Sequence, residues 1–222
     1  MESLKIIEYQ GQLSDNEIVK RVLTGEKELF EILLRRNNQT LYRVIRSYLK
    51  YDNDVQDAMQ EAYLKAYNKL HQFQGNSAFT TWLIRIGINE ALLRIRAEKK
   101  VIPLYAKDAD FQSEKLLQIP DGNQMNPERK IIQKEIRILI EQAIDVLPPR
   151  YRTVYVLKEV EGLEIGEIAN CLDLSESNVK VRLHRAKNLL KNVLYDLSSE
   201  TEIFEFGSST CDILVKAVMN RI

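Results

Sequence analysis

The chain has 222 residues, of which 45% are hydrophobic and 29% charged, as expected for one or two folded globular domains. Its 32 basic and 32 acidic side chains cancel, which excludes a protein that binds nucleic acid by net charge alone. The chain shows no signal peptide, no apolar run of about 18 residues and only two cysteines. We therefore expect a cytoplasmic protein without membrane insertion or a disulfide framework.

Helical periodicity predicts an all-helical first region. Ser14 and Glu17 have the spacing of a capping box, so a first helix begins there and ends near Gly25. Further helices are predicted over about 27–37, 39–49, 54–70 and 78–99. A polar loop over 71–77 separates the last two helices.

The helix predicted over 54–70 has two different sides. Its apolar side consists of Val55, Met59, Ala62, Ala66 and Leu70. The opposite side carries Asp54, Asp57, Glu61 and Lys65. An excess of carboxylates on one face suits docking onto a basic partner, and a solvated helix face is the alternative.

The composition of the sequence changes between residues 101 and 126, and its helical periodicity is lost. Prolines and an excess of acids predict an acidic linker there, with local turns. Pro127 suits the first turn of a helix to about residue 147, and another helix follows Pro148 and Pro149 to about residue 160. The predicted fold is all-α, with two helical domains joined by a flexible linker. The predicted boundaries are 1–100, 101–126, 127–195 and a tail over 196–222, whose amphipathic helix could dock on the second domain or bind a regulator.

Residues 160–190 have the pattern of a helix-turn-helix. Apolar stripes at helical spacing flank a turn at Leu174, and Ser175 is suited to cap the second helix. The second helix is basic on its outer face, whereas the preceding segment carries Glu159, Glu161, Glu164 and Glu167. An amphipathic hairpin with a solvated charged face is the alternative, but this segregation of charge favours a helix that enters a DNA major groove.

Three further segments carry a resemblance to a known family. Phe79-Thr-Thr-Trp-Leu-Ile-Arg-Ile-Gly-Ile-Asn89 resembles the F-x-T-W-L-x-x-I-x-x-N signature of extracytoplasmic-function sigma factors, a branch of the sigma-70 family. The segment from Asp54 to Tyr63 is similar to the D-A-x-D-x-x-Q-E-x-F motif of that family, and Leu147 to Arg152 to its L-P-x-x-x-R motif. These motifs occur in the order that the family has, over about residues 14–195.

The resemblance implies three binding surfaces. The contacts with core RNA polymerase, which involve its β′ coiled coil and its β subunit, are expected at Asp54, Asp57, Gln60 and Glu61. The −10 promoter element is expected to contact Phe73, Gly75, Asn76, Ser77, Trp82, Arg85, Asn89, Arg94 and Arg96. The −35 element is expected to contact Ser177, Lys180, Val181, Arg182, His184, Arg185 and Lys187.

Physical chemistry supports these roles, with alternatives for some residues. Melting DNA requires pockets for unstacked bases and cations for phosphates, although a role as core aromatics is favoured for Trp82 and Phe79. Arg185 suits bidentate contact with guanine, and Lys180, Arg182 and Lys187 suit phosphates. In the family the acidic linker threads toward the active-site cleft of the polymerase, and a plain tether is the alternative.

The preferred function is promoter recognition and melting together with polymerase, with an anti-sigma factor or another regulator as a candidate partner. A stand-alone helix-turn-helix regulator that binds an operator is a second hypothesis. It would leave the tryptophan segment and the acidic helix without a role. An enzyme is a third hypothesis, but no glycine-rich phosphate loop, nucleophile elbow or closely spaced metal ligands occur in the sequence. We therefore predict no catalytic residues, no metal and no cofactor.

Overall fold

The computed structural model describes residues 13–101 and 127–199, with side chains over 13–97 and 136–195. These ranges contain helices, turns and loops but no strand, which confirms the predicted all-α class. The α-helices are α1 (Asp15–Leu23), α2 (Phe30–Arg46), α3 (Asp52–Asn68), α4 (Phe79–Val101), α5 (Pro127–Val146), α6 (Pro149–Tyr155), α7 (Ile165–Leu172) and α8 (Glu176–Ser199). Two short 3-10 helices span Lys27–Leu29 and Leu70–Gln72, and a π-helical segment, Val156–Val160, continues α6. The predicted linker over 102–126 and the tail over 200–222 lie outside the described residues.

Helices α1 to α4 surround one apolar core. Ile18 of α1, Leu33 of α2, Val55 of α3 and Leu83 of α4 are all buried within it. The Ser14 half of the predicted capping box of α1 is confirmed, because the Glu17 backbone N–H donates to Ser14 Oγ at 3.3 Å. Within the described ranges, no helix combines the length and hydropathy that a bilayer span requires.

One predicted boundary is wrong. The two helices expected over 27–37 and 39–49 are a 3-10 turn followed by one continuous helix, α2. Asparagine disfavours helix interiors because its side chain competes for backbone hydrogen bonds. Here Asn37 is buried, its amide donates to Leu33 O at 2.8 Å, and its Oδ1 accepts from Thr80 Oγ1 at 2.6 Å. The contact with α4 satisfies the side chain inside the helix, so the helix continues.

Gly87 permits a close approach between α2 and α4. A Cβ atom at this position would lie 2.5 Å from Leu41 Cδ1 and 3.3 Å from Ile45 Cδ1. Leu41 and Ile45 are both buried, so neither side chain can swing into solvent. Any larger residue at 87 must therefore displace packed side chains of α2.

Two glycine-to-alanine substitutions are expected to have opposite effects on the free energy of unfolding. Gly166→Ala should raise it by up to about 1 kcal/mol, since alanine favours helix and the new Cβ would meet only Glu176 Oε1, at 3.5 Å. Gly87→Ala should lower it by about 1–2 kcal/mol, because overpacking outweighs the gain in helix propensity. Urea unfolding followed by circular dichroism measures both. A gain in both variants would contradict the packing argument at Gly87.

Contacts between helices divide the described residues into two compact units. The described residues 13–101 and 147–187 belong to one compact unit, whereas 127–146 and 188–199 belong to a second. The predicted division at residues 100 and 127 therefore stays a prediction. In the first unit, a second buried cluster joins α2 and α4 to the segment from α6 to α8.

Candidate nucleic-acid and protein interfaces

The predicted helix-turn-helix is confirmed in its local geometry. Helix α7 ends at Leu172, and the next residue, Asp173, caps it with a left-handed backbone (φ 54°, ψ 52°), which aspartate tolerates better than most residues. The Leu174 N–H then donates to Ala169 O at 2.9 Å, which closes the turn. Ser175 caps α8 as predicted, with its Oγ accepting from the Asn178 N–H at 3.3 Å.

The start of α7 uses a glutamate where serine or threonine is more common. The backbone N–H of Glu164 donates to Glu167 Oε2 at 2.9 Å, and the two side chains form a capping box. This satisfies backbone donors that a helix start leaves unpaired. The capping box therefore stabilises the start of α7.

The predicted DNA-contacting residues of α8 point away from its buried stripe. Val179 and Ala186 are fully buried and anchor the helix. Arg182 is half-buried, and the remaining residues predicted to contact the −35 element are exposed: Ser177, Lys180, Val181, His184, Arg185 and Lys187. The structure thus places the predicted set on a single helix, outside its buried stripe.

Several cations of this face contact neighbouring side chains. Lys187 Nζ lies 2.9 Å from Glu159 Oε1, and Lys180 Nζ lies 3.9 Å from Glu176 Oε2. A hydrogen bond with Arg185 is the main cause that lowers the pKa of the Tyr151 hydroxyl below its ordinary value. Solvent-exposed ion pairs are worth about 0–1 kcal/mol. Phosphate oxygens can therefore replace these partners at little cost.

The loop before α4 is anchored by an aromatic cluster. The Phe73 ring contacts the Phe79 ring edge to face, with centroids 5.6 Å apart, and lies 5.5 Å from the Trp82 ring. Phe79 is buried, whereas Phe73 and Trp82 are half-buried. The packing alternative for Phe79 and Trp82 is thus realised, and Phe73 shares it. The polar part of the loop, Gly75, Asn76 and Ser77, stays exposed.

The predicted −10 residues of α4 occupy two sides of that helix. Arg85, Asn89 and Arg96 are exposed and lie four and seven residues apart, on one face. Arg94 lies about half a turn away from this face at 3.6 residues per turn. Its guanidinium approaches Asp54 Oδ1 at 3.6 Å and Asp57 Oδ2 at 3.3 Å. The structure therefore places Arg94 with the predicted polymerase-binding acids.

The acidic face of α3 borders an apolar groove. Asp57, Gln60 and Glu61 are exposed, and Asp54 is half-buried. A groove of about 480 Å³ lies between α2 and α3 and includes Gln60. Its other lining residues are Phe30, Leu34, Gln56, Met59, Tyr63, Leu64 and Tyr67. The sequence analysis named Gln60 alone among these eight as a site residue. The partly apolar face at 56, 60, 63 and 67, beside the buried stripe, was the signal that could have found the others.

Two parts of the chain match family models. The model described as Sigma-70 region 2 matches residues 33–101, and the one described as Sigma-70, region 4 matches residues 137–190. The chain is 33% identical over 193 residues to RNA polymerase sigma-H factor of Pseudomonas aeruginosa, covering 85% of this chain and 98% of that protein. It is also 33% identical over 190 residues to ECF RNA polymerase sigma-E factor of Escherichia coli strain K12, covering 84% of this chain and 97% of that protein.

A solved structure shares the fold. The sigma factor RpoE from Bartonella quintana, solved in complex with the anti-sigma factor NepR, matches with a TM-score of 0.57 and 19% identity. The match covers 75% of this chain and 96% of that chain. At this identity the likeness concerns the fold.

Proposed function

The chain belongs to the extracytoplasmic-function branch of the sigma-70 family of RNA polymerase sigma factors, and we propose that three separate surfaces carry its function. One surface docks on core polymerase, one reads and melts the −10 element, and one reads the −35 element. The observation that carries this division is the separation of charge: an exposed acidic face on α3 and an exposed basic face on α8.

The docking surface consists of the acids of α3 and the adjoining groove. Asp57 and Glu61 offer carboxylates to a basic partner, while the groove beside Gln60 accepts apolar side chains. A charged rim around an apolar centre is the usual anatomy of a protein interface. This surface fits the β′ coiled coil of core polymerase if that element presents basic and apolar side chains together.

The −10 surface combines the exposed loop with one face of α4. Gly75, Asn76 and Ser77 offer backbone and side-chain polar groups to unstacked bases, and Trp82 offers part of its ring for stacking. Arg85 and Arg96 supply cations for the phosphates, and Asn89 lies between them along the helix. The buried edge of the aromatic cluster keeps this loop next to α4.

The −35 surface is the outer face of α8. Arg185 is proposed to contact a guanine, whereas Lys180, Arg182 and Lys187 are proposed to contact phosphates and His184 a base or a phosphate. The zero net charge of the chain fits this scheme, since polymerase then supplies the remaining affinity for DNA. We assign no catalytic step to the protein, and its place of action is the bacterial cytoplasm, where polymerase and promoter meet.

Arg94 is proposed to position the docking acids rather than to contact the −10 element, which revises its predicted role. Arg94→Gln should weaken binding to core polymerase by about 2–5-fold, as expected for the loss of exposed ion pairs. It should leave the salt dependence of promoter binding by the holoenzyme unchanged. The matched control Arg96→Gln should do the reverse and reduce the salt slope by about 1. If Arg94→Gln and Arg96→Gln reduced the salt dependence of promoter binding equally, Arg94 would belong to the −10 surface.

Purified protein added to bacterial core polymerase should start transcription at a distinct set of promoters, mapped by the 5′ ends of the transcripts. Protein alone should not retain those promoters tightly. Tight and specific operator binding without polymerase would favour the stand-alone regulator instead. Failure to bind core polymerase in a pull-down would contradict the proposal. A protein inhibitor is a natural partner to test in the same assay, because the structural relative was solved with an anti-sigma factor.

A further inference from the structure

One side of α5 presents large apolar side chains to solvent. At 3.6 residues per turn these side chains form a single stripe, together with the buried Ala143. The ion pair between Arg137 and Glu141 lies on the other side of the helix. A helix normally buries its apolar stripe, so this exposed face, which we call the α5 stripe, indicates a missing partner. Its exposed members are Ile136, Leu139, Ile140 and Val146, at 51%, 43%, 40% and 67% exposure.

The described residues leave the α5 stripe uncovered. Within the ranges 13–97 and 136–195, neither of the two buried apolar clusters includes any of its four exposed members. Among the described residues, the compact unit that contains α5 otherwise consists of 188–199, the end of α8. Leu189 of that part is itself 37% exposed. Two helices leave most of each other's surface open, so a third apolar element would complete this unit.

The sequence that follows α8 contains an element of the required kind. Ser209 and Asp212 have the spacing of a capping box, and residues 210–222 then repeat apolar side chains at helical intervals. The other side of this segment carries Asp212, Lys216 and Asn220, at i, i+4 and i+8. A helix this short is marginal in water by itself, so its stability requires a surface to pack on. Its apolar side consists of Ile213, Leu214, Ala217, Val218 and Ile222.

The connection is long enough to bring this segment back to α5. Residues 200–209 separate it from the end of α8, and ten residues span at most about 33 Å. Helix α5 has 20 residues, which corresponds to a length of about 30 Å. Gly207 and Ser208 are residue types that allow a chain to reverse its direction. The start of the tail and α5 belong to one compact unit, so the α5 stripe lies within reach.

We propose that residues 210–222 dock in cis on the α5 stripe, with the apolar side of the segment packed against Leu139 and Ile140. A connection of about ten residues gives the segment an effective concentration on the order of millimolar, far above that of a free partner. Asp212 and Lys216 cancel in charge, so burial of apolar surface holds the contact. The docked segment is separate from the three surfaces proposed above to bind polymerase and promoter DNA, and its role is to complete the unit that contains α5.

Disulfide trapping with the native Cys211 tests the docking in the full-length chain. Cys211 lies three residues before Leu214, on the apolar side of the segment. Single cysteines are introduced on the stripe, as Ile136→Cys, Leu139→Cys or Ile140→Cys, and the dilute protein is oxidised with diamide. At least one of these variants should form a bridge within one molecule, identified by peptide mass and by faster migration without reductant. The control Arg137→Cys, at an exposed position on the other side of α5, should cross-link at least about tenfold less.

The products of oxidation distinguish the possible occupants of the stripe. A bridge within one molecule has a yield that does not change on dilution, whereas a bridge between two molecules becomes rarer. A covalent dimer as the main product would overturn docking in cis and identify a second copy as the occupant. Equal yields at the stripe and at Arg137→Cys would also overturn the proposal, as would the absence of a bridge at all three stripe positions.

Alkylation of the stripe provides a second measurement, without a cross-link. The reporter is Ile140→Cys in a Cys211→Ser background, treated with N-ethylmaleimide and read by peptide mass. Cys171 reacts slowly, because burial raises the pKa of its thiol to about 11. Adding Leu214→Glu should accelerate alkylation of the reporter by at least about fivefold, since an ionised carboxylate is not tolerated in an apolar contact.

Asn220→Glu is the matched control for Leu214→Glu. It adds the same charge on the polar side of the segment and should leave the alkylation rate within about twofold of the background. Circular dichroism checks that both variants have the helix content of the background. Equal rates in the two variants would overturn the docking. Rapid alkylation in the free protein that slows only when core polymerase is added would overturn it too, and would identify polymerase as the occupant.

Discussion

Replacement of Asp57 and Glu61 together by lysine is expected to weaken binding to core polymerase by about 100-fold or more. Both side chains are exposed on α3, on one side of Gln60 and the apolar groove. A basic partner attracted by two carboxylates would meet two cations instead, and such like-charge contacts cost several kcal/mol. The measurement is the dissociation constant of the labelled protein for core polymerase at fixed ionic strength.

The control for this variant keeps the change in net charge and moves it elsewhere. Glu17→Lys with Glu28→Lys alters two exposed acids, on α1 and on the first 3-10 helix. It should bind core polymerase within a few-fold of the unmodified protein, because a remote charge acts through screened electrostatics alone. Thermal unfolding shows whether both variants stay folded. Equal losses of affinity would mean that α3 offers only a solvated charged face, which is the alternative stated from its sequence.

Local chemistry made much of the fold predictable. The capping groups of Ser14 and Ser175 act within three residues of themselves, so the starts of α1 and α8 can be found from spacing alone. The apolar stripe that contains Val179 and Ala186 is likewise a property of one helix. The capping residues and the apolar stripe are both found in the structure, because the tertiary contacts favour the same helices as the local sequence does.

Tertiary contacts explain what the sequence could not show. Asn37 interrupts the helical pattern locally, yet its side chain is satisfied by Thr80, 43 residues away. Arg94 follows the −10 motif in sequence but pairs with acids of α3. Glu161 appeared in the sequence as one acid of a charged run. In the structure its carboxylate accepts hydrogen bonds from Arg43 and Thr40 of α2, which are 118 and 121 residues distant in the chain. Periodicity carries no information about which elements meet, so these roles required coordinates.

Two neighbouring cations on α8 are expected to have different effects on DNA. Arg185→Ala in the holoenzyme should reduce discrimination at one base pair of the −35 element by about 5–150-fold, since a bidentate contact with guanine is worth about 1–3 kcal/mol. Its affinity for promoters that carry other bases at this position should change little. Promoter variants with every single-base substitution, measured at one salt concentration, locate the affected pair.

Lys187→Ala is the matched comparison, because it removes an exposed cation two residues further along the same helix. It should weaken all promoter variants alike and reduce the slope of log affinity against log salt by about 1, as expected for a lost phosphate contact. Lys187 also forms an ion pair with Glu159, so the substitution leaves an unpaired carboxylate where a phosphate approaches, which should weaken DNA binding further. That repulsion is independent of sequence as well. If both variants changed specificity and neither changed the salt slope, Lys187 would be a base-reading residue and the proposed division of α8 would be wrong.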